Sequence, residues 1–291
     1  MLKRAILGFI SGVIFIAAGA QTQSYRSNVH QGEFGGGIGL AHYFGDLNNR
    51  AALNRPKFSA GLFFIKQFND YIGLKLAGNY AFLGYSDSYS KNEVQRTRNL
   101  SFNTNLWEAS LSGYFNFFRF IPGTEGYSYT PYASIGVGVF SYDPYAYLDG
   151  KKYFLRPLGT EGQGSTTTSR SQYSSMAICF PLSVGLKYAI NKDLNVYAEL
   201  GYRFTNTDYL DDVSTTFAGP EAFPGLPQPD GSIAPSPAFL LQDRSYELGP
   251  PIGIKGRQRG NSLQKDSYVM LHFGVSLNLY SYKCPTPKIG E

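Results

Sequence analysis

Cysteine is nearly absent from this sequence, with Cys179 and Cys284 the two in 291 residues. A fold stapled by several disulfides is therefore excluded. Cys179 falls inside an expected strand and Cys284 in the tail, so both are read as free thiols, although an oxidising compartment would let them pair. Histidine is scarce too: His30, His42 and His272 lie far apart, in no metal or nucleophile–base motif. Charged residues make up 16% of the chain, and the formal net charge is +5, or +3 without Lys3 and Arg4. That balance is too small and too dispersed for a nucleic-acid partner. Beyond the first twenty residues no apolar run reaches the roughly 18 residues of a helical membrane span. A membrane architecture would therefore have to be a closed barrel.

The first twenty residues stand apart. Lys3 and Arg4 precede the uncharged, mostly apolar run Ala5–Ala18, and Ala18-Gly-Ala20 supplies small residues before Gln21. This reads as a secretory signal peptide over 1–20, cut after Ala20. No Cys follows the cut, so a lipid-modified N-terminus is not expected. Residues 21–32 are read as an N-terminal arm.

What is present in excess is aromatic: 23 Tyr and 22 Phe against a single Trp. Aromatic residues suit strands in general, and Tyr in particular suits the girdles of membrane barrels. The clearest strand lies near the end. Val269, Leu271, Phe273, Val275, Leu277 and Leu279 alternate with Tyr268, Met270, His272, Gly274, Ser276, Asn278 and Tyr280. A period of two marks a strand with one apolar and one mixed face. Its length meets the roughly 9–11 residues of a tilted transmembrane strand. Seven further strands are expected at 33–44, 57–68, 71–84, 106–118, 132–140, 175–190 and 194–204. In the second, Leu62, Phe63, Phe64 and Ile65 run together, so its faces are ambiguous. Asn69-Asp70 reads as a two-residue hairpin turn. Pro181 lies inside the sixth strand, where a bulge or a pairing gap is expected.

These elements predict an all-β fold: an eight-stranded antiparallel transmembrane up-and-down β-barrel over 33–282. Long extracellular loops are expected at 45–57, 85–105, 143–174 and 205–267, with a periplasmic tail at 283–291. Short turns alternate with long loops, as in outer-membrane barrels, and an even strand count returns both termini to the periplasm. A soluble ligand-binding barrel has the same period with its apolar face turned inward. Against it, the charged residues share the glycine-rich face and carry both signs. Glu33, Lys75, Glu108, Lys187, Glu199 and Arg203 are expected to form a paired network in the lumen. Side chains fill a barrel of eight strands, so it is not expected to act as a porin.

Little points to catalysis, so no enzyme, cofactor, metal or small-molecule substrate is expected. His42 falls on the apolar face of the first strand, where an interfacial role is favoured over a lipid-modifying His–Ser pair. His272 is expected to point into the lumen as a satisfied polar group. Gly35-Gly36-Gly37-x-Gly39 sits in a strand with no helix after it, which fits close backbone packing better than a phosphate loop. The acidic run Asp208, Asp211 and Asp212 matches no calcium-loop spacing and reads as solvated or Arg-paired loop acids. The Pro- and Gly-rich stretch 219–237 is read as lacking a regular core.

Scattered motifs then suggest a family. They are Tyr43-Phe-Gly45-Asp46-Leu47, Arg98-Asn-Leu-Ser-Phe102, Thr130-Pro-Tyr132 and Leu158-Gly-Thr160-Glu161-Gly162-Gln163. Further on come Thr207-Asp208-Tyr209-Leu-Asp211-Asp212-Val-Ser214, Arg259-Gly260-Asn261 and Asp266-Ser-Tyr268. In order and spacing these resemble the PorG family of outer-membrane barrels from Bacteroidota, across nearly the whole mature chain. The resemblance implies a structural part in type IX protein secretion and, in some species, gliding motility. Its implied partners are outer-membrane lipid, a periplasmic ring lipoprotein and that lipoprotein's periplasmic partner. Contact with the ring is expected at 119–130, the short turns, the 21–32 arm or the tail, and not at the Asp208–Ser214 loop. The alternatives are a lipid-modifying barrel enzyme and a surface adhesin-like barrel.

Overall fold

The computed structural model describes residues 28–50 and 52–282. The expected signal peptide, the 21–27 part of the arm and the 283–291 tail with Cys284 lie outside the described residues. Among the described residues there are twelve strands: β1 (Asn28–Phe44), β2 (Lys57–Gln67), β3 (Ile72–Ser86), β4 (Ser101–Asn116), β5 (Tyr129–Ser141), β6 (Tyr145–Leu148), β7 (Lys151–Phe154), β8 (Met176–Ala189), β9 (Leu194–Thr205), β10 (Leu226–Pro227), β11 (Ile233–Ala234) and β12 (Ser267–Tyr282). The loops of the described residues carry three short α-helices, α1 (Glu93–Arg98), α2 (Leu155–Leu158) and α3 (Pro237–Gln242).

Eight of these strands close into an antiparallel barrel. Their order is β3-β2-β1-β12-β9-β8-β5-β4, and β3 also pairs with β4. His30–Leu279 forms one compact unit. Asparagine side chains build two of the tight turns. Asn69 Oδ1 accepts from the Tyr71 and Ile72 amides, both at 2.8 Å, and Asn191 Oδ1 accepts from Asp193 and Leu194 at 2.8 and 2.9 Å. The first connection therefore spans Phe68–Tyr71 and not the two residues expected, because the Asn carbonyl replaces a backbone acceptor inside the turn. At Pro181 the β5 ladder skips from Ile135↔Leu182 to Gly138↔Cys179 in unchanged register. The missing N–H opens a gap there without a bulge.

Alternation decides which way the barrel faces. On β4, Trp107, Ala109 and Leu111 are exposed while Leu106, Glu108, Ser110 and Ser112 are buried. The second strand's ambiguity resolves the same way: Leu62 and Phe64 point out, and Ile65 points in at 2% exposure. Around the barrel, Leu76, Leu111, Val137, Val184, Leu200 and Val275 are between 46% and 55% exposed. A continuous apolar belt of this kind is far larger than any patch a water-soluble monomer tolerates. Its lowest-energy surroundings are lipid, so the barrel spans a membrane.

Above the belt the pattern inverts. Toward the long-loop end the inward residues Ala81, Leu83, Tyr85, Phe102, Leu106 and Met270 form a buried apolar core. Outward positions there become polar, as at Asn103 and Asn105. The strands accordingly run past the expected boundaries. Asn28–Gly32, expected in the arm, belongs to β1, and the loop expected at 85–105 shrinks to 87–100. Within 143–174 the β6–β7 hairpin pairs onto β4 through Asn103↔Tyr145. The 219–237 stretch also carries structure, since Ala222 and Phe223 bury against Ala218 and Ala238.

Candidate functional site

Two polar systems lie inside this body, one in the lumen and one under the long loops. In the lumen Lys75 pairs with Glu199 at 2.5 Å, Arg203 with Glu108 at 3.2 Å, and Lys187 with Glu33. Every partner is nearly dry, with side-chain exposure no higher than 9%. The carboxylates accept further hydrogen bonds as well. Glu108 accepts from Asn79 and Tyr268 at 2.8 Å each, Glu199 from Tyr132 at 3.0 Å, and Glu33 from Ser276 at 2.9 Å. His272 Nε2 meets Ser59 Oγ at 3.0 Å. A cavity of about 20 Å³, bordered by Lys75, Asn79, Glu199, Arg203 and His272, remains among them. That is room for about one water. The glycines of β1 permit the packing: a Cβ on Gly37 would lie 2.5 Å from Tyr197 Oη and 2.7 Å from the Phe273 carbonyl of β12.

The second system gathers the scattered loop motifs. Gly45, Asp46, Thr160, Glu161, Gly162, Asp208, Tyr209, Asp211, Asp212, Arg259 and Gly260 come from four separate segments, and they converge in one cap. Arg259 is its hub. Its guanidinium reaches Glu161 Oε1 at 3.1 Å, the Asp212 carbonyl at 2.5 Å, the Gln242 carbonyl at 3.0 Å and the Asp212 carboxylate at 3.7 Å. Glu161, fully buried, also accepts from the Ser214 and Thr215 amides at 2.9 and 3.0 Å and from Tyr209 Oη at 3.4 Å. Asp212 accepts from Tyr173 at 2.7 Å and from Thr160. Asp46 Oδ2 takes the Asn261 amide at 2.8 Å. At Gly260 a Cβ would sit 2.3 Å from that same oxygen and 2.6 Å from the Ser214 nitrogen. Gly162 adopts φ +79°, a conformation that favours glycine.

Arg98 and Asp87 form a parallel clamp beside the hub. Arg98 Nε and Nη2 meet the Asp87 carboxylate at 2.7 and 2.8 Å, and Nη1 donates to the Arg259 carbonyl. Arg98 stands in one of the sequence motifs, whereas Asp87 lies in none. Only its neighbour Ser86, a side-chain cap for the turn that follows, gave a local signal.

The acids of the 208–212 run are not solvated, contrary to one branch of the expectation. Asp208, Asp211 and Asp212 are no more than 3% exposed, because the loop folds inward over the apolar core. Tyr43 Oη lies 2.5 Å from Asp211 Oδ2 and 3.1 Å from Asp266 Oδ1. A phenol has one proton, so both contacts are satisfied together only when a carboxyl carries a second. Burial, followed by the neighbouring carboxylates, drives Asp211 and Asp266 well above the usual carboxylate range. Burial likewise pushes Asp208 to about 7, Asp46 to about 6, and Asp212 to about 6 against the pull of Arg259. Among the described residues no group of three or more His, Cys, Asp or Glu is placed to hold a metal ion.

His42 corrects the interfacial expectation. It keeps the outward parity of β1 but is 3% exposed, because the loop after β1 folds over it. Its Nε2 meets the Ala52 carbonyl at 2.5 Å and the Asn48 amide at 3.3 Å, and these contacts leave that nitrogen no hydroxyl to activate. Cys179 is free and buried.

No curated protein matches the sequence. Among solved structures, Neisserial surface protein A is 11% identical with a TM-score of 0.41, covering 87% of this chain and 100% of its own. Ail, the attachment invasion locus protein of Yersinia pestis, is 10% identical with a TM-score of 0.38, covering 86% and 99%. The outer membrane protein OprG from Pseudomonas aeruginosa is 13% identical with a TM-score of 0.32, covering 88% and 98%. At such values the likeness says nothing about what this chain does. A family model described as a domain of unknown function, DUF6089, matches residues 10–218. That span takes in seven of the eight barrel strands' residues up to β9 and every segment of the cap before Arg259. The chain belongs to the DUF6089 family.

Proposed function

We propose that this chain is a non-enzymatic outer-membrane barrel that anchors a type IX protein secretion complex, with both termini on the periplasmic side. The observation that supports an anchor over a conduit is the filled lumen, where three ion pairs lie buried and the cavity bordered by two of them has room for about one water. The secretion role itself rests on the motif resemblance. Burial of Asp211 and Asp212 takes them out of reach of a partner, which directs ring contact to the short-turn end. There the 117–128 connection turns twice through Gly123 and Gly126 at φ +76° and +80°.

The test is affinity purification of the tagged protein from native membranes after photo-cross-linking at Thr124 and, as a control, at Leu263. Ring proteins captured at Thr124 and not at Leu263 are the expected result. Capture at Leu263 alone would reverse the topology. Intact secretion in a strain lacking the gene would remove the secretion role. An adhesin-like role would instead show as lost attachment when 226–234, which carries the β10–β11 hairpin, is deleted, with secretion unchanged.

A further inference from the structure

The rim of the apolar belt carries a second feature on its outer surface. Tyr80 and Trp107 meet at a tilt, ring centroids 4.9 Å apart, where the belt ends, with Phe58 6.4 Å from Tyr80. Tyr80 Oη donates to Asn105 at 2.8 Å, the first polar residue above. Such a ring of amphipathic aromatics marks the headgroup level of a bilayer. Just beyond it, β6–β7 lies against β4. Cross-strand register places Tyr145 opposite both Asn103 and Phe154, and Tyr147 opposite Lys152. Tyr145, Tyr147, Lys152 and Phe154 therefore share one face.

Two lysines converge on this platform. Lys152 Nζ stands 3.7 Å from the Tyr145 ring centroid and 4.5 Å from that of Phe154. Lys57 Nζ lies 4.4 Å from the Phe82 centroid and donates to Asn103 Oδ1 at 2.9 Å, and Asn103 faces Tyr145 across the ladder. Among the described residues neither lysine has a carboxylate within ion-pair distance. Asp143 is the acid that feels Lys152, and it makes no bond to it. Two cations fixed over rings at headgroup depth, neither in an ion pair among the described residues, present positive charge to the leaflet itself.

We propose that Lys57 and Lys152 hold the phosphorylated headgroup of a lipid in the leaflet on the long-loop side, its acyl chains lying along Phe58, Tyr80 and Trp107. This rests on the barrel spanning a bilayer and is independent of the secretion role. The full mature protein and a Lys57→Gln/Lys152→Gln variant would be placed in phosphatidylcholine nanodiscs doped with bisphosphorylated lipid A. Native mass spectrometry after extraction then counts the retained lipid. Wild type is expected to keep one lipid A, and the double variant to lose retention about thirtyfold, from two surface lysines. Lys66→Gln, at the opposite rim, serves as the control and should match wild type. Dephosphorylated lipid A should be retained no better than phosphatidylcholine. Equal retention by the double variant, or no preference for the phosphorylated lipid in wild type, overturns the proposal. So does equal binding of the water-soluble phosphosugar headgroup, which would remove the acyl contacts.

Discussion

Replacing Lys187 with Met tests whether the lumen is dry. The substitution keeps the chain's length and removes its charge. Glu33, fully buried, would then keep hydrogen bonds from Ser276 Oγ at 2.9 Å and Asn195 Nδ2 at 3.3 Å but lose its ion pair. Lys187 would also leave the Phe120 ring, whose centroid its ammonium approaches to 4.3 Å. An orphaned buried carboxylate costs about 3–5 kcal/mol, whereas removing both charges costs far less. Lys187→Met should therefore destabilise by about that amount. Adding Glu33→Gln should recover about 2 kcal/mol or more of the loss, a clear departure from additivity. The assay is reversible urea unfolding from phospholipid vesicles, followed by the fluorescence of Trp107. As the chain's single tryptophan it stands 64% exposed on the outward face and reports insertion. A cost below about 1 kcal/mol with an additive cycle would mean a water-screened pair, and the filled-lumen reasoning would fail.

The cap should loosen as pH rises. Asp46, Asp208 and Asp212 are raised to about 6, 7 and 6, above the unfolded value, so the folded cap binds protons that the unfolded loops release. That stability is complete below about pH 4 and is lost as pH climbs through 6 and 7. Hydrogen exchange at Leu210 and Val213, corrected for intrinsic rate, should be faster at pH 8 than at pH 5 by at least about tenfold; slower exchange at pH 8 would reverse the sign. Gly260→Ala should cost about 1–3 kcal/mol in the cap, because the Ser214 backbone cannot retreat from the new Cβ as a flexible side chain would. Limited proteolysis of the long loops should quicken while the barrel keeps its heat-resistant mobility on gels. An unchanged digestion pattern would show that the cap is not packed around that residue.

Period-two alternation made the barrel legible, since most membrane-facing positions carry an apolar residue and most lumen positions a small or polar one. The inversion above the belt hid the strand ends: Leu83 and Phe102 point inward there, whereas Leu76 and Leu111 point outward below. A reader expecting one apolar face stops where the faces exchange roles. The β6–β7 hairpin was missed for a related reason. Its four-residue strands are too short for a period, and their aromatics and lysines alternate only in the context of β4. The lumen pairs were visible as opposite charges on one face, but which lysine meets which glutamate depends on contacts across the lumen that no local pattern encodes. The cap was visible only as scattered motifs. Asp211 and Asp212 read as hydrophilic loop residues until Tyr43, Arg259 and Asp266, distant in sequence, surround them.

With its lumen filled by its own side chains, the barrel should be closed to solutes. The decisive observation is the current across a planar lipid bilayer holding the purified full-length protein in concentrated salt. No discrete conductance steps are predicted, because the ion pairs occupy the path. Stable steps whose size scales with salt concentration would contradict the claim.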